Sequence, residues 1–194
     1  MPGIETDKFE KVLVSSATEL RDWLAKNHEQ DKSVWLVTFL KHVGEKYVSR
    51  EEVLDELLCF GWIDGIRRKL DTDQTMQLIS PRKTQYWAKS YKDRVAKLKK
   101  SGRMCKAGND VVAEAKKNGL RTFMDDVDAL IVPEDLSRRL NKSKKAVTHF
   151  ESSSPSYRRN VLRWVKLSKT DTTRKKRINK IFEFAKRNEK IPQM

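Results

Sequence analysis

The string Cys59-Phe60-Gly61-Trp62-Ile63-Asp64-Gly65 is the most distinctive in the sequence. Two glycines bracket a tryptophan and a carboxylate, and glycine admits positive φ or close backbone approach. Trp62 offers an aromatic wall with one N–H donor. Asp64 can accept bonds from N–H groups or from a cation. Arg67, Arg68 and Lys69 follow at once, and Arg82 and Lys83 come after Pro81. An aromatic wall, one carboxylate and converging cations suit a pocket for a small anion. Its candidate lining is Trp62, Asp64, Arg67, Arg82, Lys83 and Trp87. The alternative is a helix-to-strand corner, with Trp62 in the core and Asp64 paired to Arg82 or satisfying the turn.

Other chemistries find less support. His28, His42 and His149 lie far apart, and none has a second His or Cys at metal spacing. No G-x-S-x-G, H-E-x-x-H, P-loop or G-x-G-x-x-G occurs. No catalytic residue, metal or cofactor is therefore assigned, and a non-catalytic protein is the leading expectation. Asp71-Thr72-Asp73 reads as a polar turn. Cys59 ends an apolar helix and reads as a small core residue. Cys105 lies between Arg103 and Lys106, and nearby cations lower a thiol pKa. The sequence offers it neither a base nor a resolving partner.

Aromatic residues interleaved with basic ones suggest nucleic acid. Trp87 and Tyr91 sit among Lys89, Lys92 and Arg94, and Trp164 follows Arg158 and Arg159. Phosphate contacts combined with stacking are how non-specific single-strand binders work. The candidates for such contacts are Lys89, Lys92, Arg158, Arg159, Arg174, Lys175, Lys176 and Arg177. Helical spacing gives a competing reading: Trp87, Tyr91, Val95 and Leu98 form one stripe that packs inward and leaves the lysines solvated. No RNP, KH or zinc-finger signature is present.

The elements that must position these residues follow from periodicity and charge. An α+β fold is expected, with a small antiparallel sheet and packed helices, followed by a basic all-helical C-terminal domain. The strands fall near 10–14, 34–41, 66–70 and 75–80. Ser16-Ala17-Thr18-Glu19 and Ser49-Arg50-Glu51-Glu52 are capping boxes that open helices. A basic helix spans Tyr86–Lys100. Residues 1–122 are expected to form the α+β domain, 123–133 an acidic linker around Asp125, Asp126 and Asp128, and 134–194 the helical domain. Lys and Arg number 42 against 27 Asp and Glu, a net charge of +15, which favours polyanions over cationic partners. No apolar run approaches the ~18–20 residues of a membrane span, so no membrane insertion is expected. The start, Met1-Pro2-Gly3-Ile4-Glu5, lacks a basic n-region and an apolar h-region, so a cytoplasmic location is expected.

Taken together, Cys59–Gly65, Ser80-Pro81-Arg82-Lys83, Trp87 and the run Pro155–Lys190 with Thr173-Arg174-Lys175-Lys176-Arg177-Ile178 resemble the YdeI/OmpD-associated family of bacterial proteins. The resemblance covers about Glu10 to Lys190. It implies an uncharacterised bacteriocin-protection protein, a stress or resistance protein that binds a protein partner or an anionic ligand, with no catalytic residues to carry over. Direct contact with an outer-membrane porin is not expected of a chain with no export signal. A +15 protein repels cationic bacteriocins, so any protection is expected to be indirect.

Overall fold

The computed structural model describes residues 8–192, so the terminal string Met1-Pro2-Gly3-Ile4-Glu5 lies outside the described residues. The chain divides after Thr122 into two compact units. Each has its own hydrophobic core. The fold class is α+β: one four-stranded sheet with helices in the first unit, and helices alone among the described residues of the second. No helix among the described residues is long and apolar enough to cross a membrane.

The first unit runs β1 (Lys11–Leu13), α1 (Ala17–Asn27), β2 (Val34–Phe39), α2 (Arg50–Cys59), β3 (Trp62–Lys69), β4 (Gln74–Pro81), α3 (Lys89–Lys100) and α4 (Lys106–Lys117). The sheet order is β1-β2-β4-β3. The pairs β2/β4 and β4/β3 are antiparallel, but β1 lies parallel to β2, with Val12 opposite Leu36. The sheet is therefore mixed where an antiparallel one was expected. The reason is α1, a helical crossover between β1 and β2 that returns the chain in the same direction.

Side chains alternate across a strand, so Val12, Val34, Leu36, Ile79 and Trp62 share one face. They join Leu20, Leu24, Val53, Leu57, Leu58, Val95 and Leu98 of the helices in one core. Ser16 caps α1 by accepting the Glu19 N–H at 3.1 Å. The Glu19 carboxylate returns to the Ser15 N–H, one residue earlier than a capping box requires. At α2 the box is complete, Ser49 and Glu52 bonding each other's backbone. The turn between β3 and β4 is held by Asp71, whose Oδ1 accepts the Asp73 and Gln74 N–H groups. The basic helix begins at Lys89 rather than Tyr86, so Trp87 precedes α3.

Two glycines fix how α2, β3 and α4 meet. Gly61 carries the chain from α2 into β3 at φ +76°, a left-handed turn that strains any other residue. At Gly108 a Cβ would stand 2.2 Å from the Cys59 carbonyl oxygen. The backbones of α4 and the end of α2 therefore touch directly.

The second unit contains α5 (Asp125–Asp128), α6 (Glu134–Leu140), α7 (Lys144–Ser152), α8 (Pro155–Lys166) and α9 (Asp171–Lys186). Its core includes Met124, Val127, Leu136, Phe150, Val161, Ile181 and Phe182. Met124 and Val127 are buried there, and Lys166 Nζ bonds Asp126 at 2.5 Å. The acidic stretch expected as a linker is thus partly core of this unit, because Met124 and Val127 face inward among the aspartates.

Candidate anion-binding site

The inner face of the sheet turns polar beyond its hydrophobic patch. Thr38, Thr75 and Gln77 are buried on that face, and Arg82 is buried just past the end of β4. Asp64 and Arg67 join them through an irregularity in β3. Three residues apart, they would face opposite ways in a regular strand. Here the register shifts between them: Asp64 stands opposite Ile79 and Arg67 opposite Gln77. This β-bulge brings both side chains to Gln77.

The polar groups form a chain. Arg67 Nη2 donates to Gln77 Oε1 at 2.8 Å. Gln77 Nε2 donates to Asp64 Oδ2 at 3.2 Å. Tyr91 of α3 donates its hydroxyl to Asp64 Oδ1 at 2.5 Å. Burial first, and then the bond to Asp64, push the Tyr91 phenol up to about 12. Asp64 also lines a cleft of about 240 Å³ with Gln77, Leu54, Arg50 and Arg94.

Arg82 is the unusual member. Only 7% of it is exposed. Its guanidinium carbon lies 4.3 Å from the centre of the Trp87 ring and 5.1 Å from that of Tyr91. Contacts of this kind favour a cation. Burial nonetheless holds its pKa below the ordinary arginine value, with Tyr91 and Asp64 opposing that shift. Arg82 Nη1 reaches the Gln85 carbonyl at 3.4 Å, while Nε and Nη2 are buried with no partner. Trp87 Nε1 and Arg67 Nε are buried and unpartnered as well. An unsatisfied buried donor costs about 1–3 kcal/mol, more for a charged group. Arg82 and Trp87 both line a small cavity of about 60 Å³, alongside Lys83, Gln85 and Asn118. Unpartnered donors of Arg82 and Trp87 thus stand beside a void whose lining also includes the Glu114 carboxylate.

The structure sorts the sequence candidates. Asp64 and Arg67 meet at Gln77, while Arg82 and Trp87 lie beyond Tyr91 and line a different cavity from Asp64. Trp62 does not line the site: it is fully buried in the core, edge-on to Trp23 at 5.6 Å, with Nε1 donating to the His28 carbonyl at 3.2 Å. The corner reading holds for Trp62, but Asp64 pairs with Tyr91 and Gln77 in place of Arg82. Lys83 turns outward, its Nζ 2.9 Å from Asp31 in an exposed pair. Sequence reasoning missed Gln77 and Tyr91 as site residues. The available signal was Gln77 itself, a polar side chain at a core-facing position between Thr75 and Ile79.

The residues proposed for nucleic acid divide. Lys175 and Lys176 are exposed, and Lys89 is paired with Asp93 one turn along α3. Arg174 makes a two-pronged bond to Asp135 at 2.6 and 2.9 Å. Arg177 donates to the Trp164 carbonyl and lies 5.2 Å from the centre of that ring. Arg158 lies over Phe150, and Arg158 and Arg159 are both half-buried. Lys92 is half-buried on α3. Arg174 and Arg177 are thus committed to packing within their own unit.

Two family models match the chain. Residues 12–111 match one described as a domain of unknown function (DUF8412). Residues 129–188 match one described as Bacteriocin-protection, YdeI or OmpD-Associated. No match was found among curated proteins or among solved structures.

Proposed function

From the premise that the chain belongs to the family of that domain of unknown function and carries a YdeI/OmpD-associated segment after it, we propose a cytoplasmic, non-catalytic stress or resistance protein that binds a small anion. The observation that carries this reading is Arg82, a buried cation with two N–H groups bonded to nothing. Trp87 Nε1 and Arg67 Nε add unpartnered donors. Asp64 orients the site by holding Tyr91 and Gln77. Any protection of the cell then runs through ligand level or a partner that senses it.

The test is thermal unfolding against a panel of inorganic phosphate, sulfate and small carboxylates. A ligand at a hundred times its Kd stabilises by ~2.7 kcal/mol. A saturable rise in Tm that disappears in Arg82→Met supports the reading. Among the described residues Arg82 makes no ion pair, so its removal leaves no carboxylate orphaned and relieves an uncompensated buried charge. Arg82→Met should therefore fold at least as well as the parent chain. A panel with no saturable shift, or a shift that Arg82→Met retains, removes the proposal.

A second reading, nucleic-acid binding by α9, draws on the exposed Lys175 and Lys176. It predicts salt-dependent binding of oligonucleotides that Lys175→Glu with Lys176→Glu weakens.

A further inference from the structure

Cys105 stands at the start of α4 and Cys59 closes α2. Their backbones are tied, the Cys105 N–H donating to the Cys59 carbonyl at 3.1 Å. Such a bond holds two Cα atoms within the ~4.4–6.8 Å that disulfides span. The contact at Gly108, where a Cβ would stand 2.2 Å from the same carbonyl, keeps the segments in that position. The two sulfurs also share a neighbour. Arg21 Nη2 donates to Cys105 Sγ at 3.3 Å. Arg21 also acts on the Cys59 thiol, opposing the upward push of burial. Both thiols are free. Cys59 is fully buried, whereas Cys105 is partly open to solvent.

We propose that Cys105 and Cys59 form an oxidant-responsive modification site, in which a peroxide oxidises Cys105 and Cys59 resolves it as an intramolecular disulfide joining the end of α2 to the start of α4. The Cys105 thiolate attacks one oxygen of hydrogen peroxide. An S–O bond forms, the O–O bond breaks, and the departing oxygen leaves as water with the thiol's proton. Cys105 is then a sulfenic acid. The Cys59 sulfur attacks the Cys105 sulfur. An S–S bond forms, the S–O bond breaks, and the hydroxyl leaves with the Cys59 proton as a second water. The peroxide gains two electrons and the two thiols lose two.

The environment assigns the roles. The attacking sulfur must be reachable by peroxide, and Cys105 is the partly exposed one. Arg21 Nη2 holds its Sγ in place by a hydrogen bond. Burial pushes the Cys59 thiol up to about 11, which suits the resolving partner rather than the attacking one.

The test treats the full chain with a small excess of hydrogen peroxide, then counts thiols and maps peptides. Loss of both thiols, a monomer lighter by two hydrogens, and one peptide pair linking Cys59 to Cys105 are expected. In Cys59→Ala, Cys105 should stop at the sulfenic acid and take up dimedone. Circular dichroism checks the fold of this core variant. Cys105→Ser changes only a partly exposed side chain and should leave Cys59 reduced under the same treatment. Two thiols still countable after treatment, disulfides only between chains, or Cys59 oxidising without Cys105 would each overturn the proposal.

Discussion

In the first unit, guanidinium groups converge on acids. Arg21 and Arg103 both hold the buried Glu56, at 2.8 and 2.6 Å. Arg94 and Arg103 both hold Asp55. In the second unit Arg174 holds Asp135, but several others lie over rings of their own core. Arg139 is 3.8 Å from the centre of Phe182, Arg187 is 4.7 Å from Phe184, and Arg177 covers Trp164. The difference teaches that a basic segment and a basic surface are distinct things. Residues 141–194 contain 16 basic and 4 acidic side chains. Part of that charge serves as cover for the core, its guanidinium groups laid on aromatic rings. Residues 1–85, with 13 basic and 15 acidic, look unpromising for an anion, yet they hold Arg82.

The strongest way to break this comparison is at Glu56. Glu56→Gln leaves two arginines without their buried carboxylate. Losing one partner of a buried pair costs about 3–5 kcal/mol. Arg21 and Arg103 keep 37% and 40% side-chain exposure, so solvent reduces this toward about 3 kcal/mol. Urea unfolding measures it, and a loss below about 1 kcal/mol would mean that the first unit's network is as superficial as the second's.

Next in size is the second unit's best pair. Arg174→Ala should cost about 1 kcal/mol, since both partners are partly solvated. The sign with pH follows from Asp135, whose carboxyl lies below its usual range chiefly through the Arg174 bond. Its contribution is complete above the unfolded value of ~3.9 and is lost as pH falls through the lower folded value. Stability curves for the parent chain and Asp135→Asn should therefore converge in acid.

Tyr91 sharpens the site from the alkaline side. Its phenol is raised, so the stabilisation it brings is complete below the unfolded value of ~10 and is lost as pH rises toward about 12. Of the four tyrosines in the chain, Tyr91 should ionise late in an ultraviolet titration. That late step should be absent from Tyr91→Phe.

The smallest effect belongs to α9. Lys175→Glu with Lys176→Glu should change stability by less than about 0.5 kcal/mol, as surface substitutions do. If oligonucleotide affinity and its salt dependence also stay unchanged, these lysines are solvated cover and the second reading falls.

Much of the scaffold was legible from short-range signals. Ser49 with Glu52, Gly61 after α2, and the Asp71 turn each act through bonds to near neighbours, so spacing alone revealed them. The parallel pairing of β1 was hidden because it depends on where α1 returns the chain. The partners of Asp64 were hidden for a related reason: Gln77 lies 13 residues away and Tyr91 lies 27, and only the folded sheet and α3 bring them together. Arg82 was chosen for its charge. Its importance lies in the bonds it does not make, and no sequence pattern displays those. Cys59 and Cys105 were read separately because Gly108, the residue that brings their helices into contact, carries no chemistry itself.

The bulge in β3 has a consequence for descent. Asp64 and Arg67, three residues apart, meet Gln77 together only because Gly65 and Ile66 share the place opposite Leu78. A regular ladder that kept all four residues would set Arg67 opposite Met76 and turn it to the other side of the sheet. Loss of one residue from Gly65-Ile66 would instead restore a two-residue spacing and leave Arg67 opposite Gln77. Among related chains, a single gap at this point is therefore compatible with the ligand, whereas a full-length strand without the bulge would mark a lineage that kept the architecture and abandoned it.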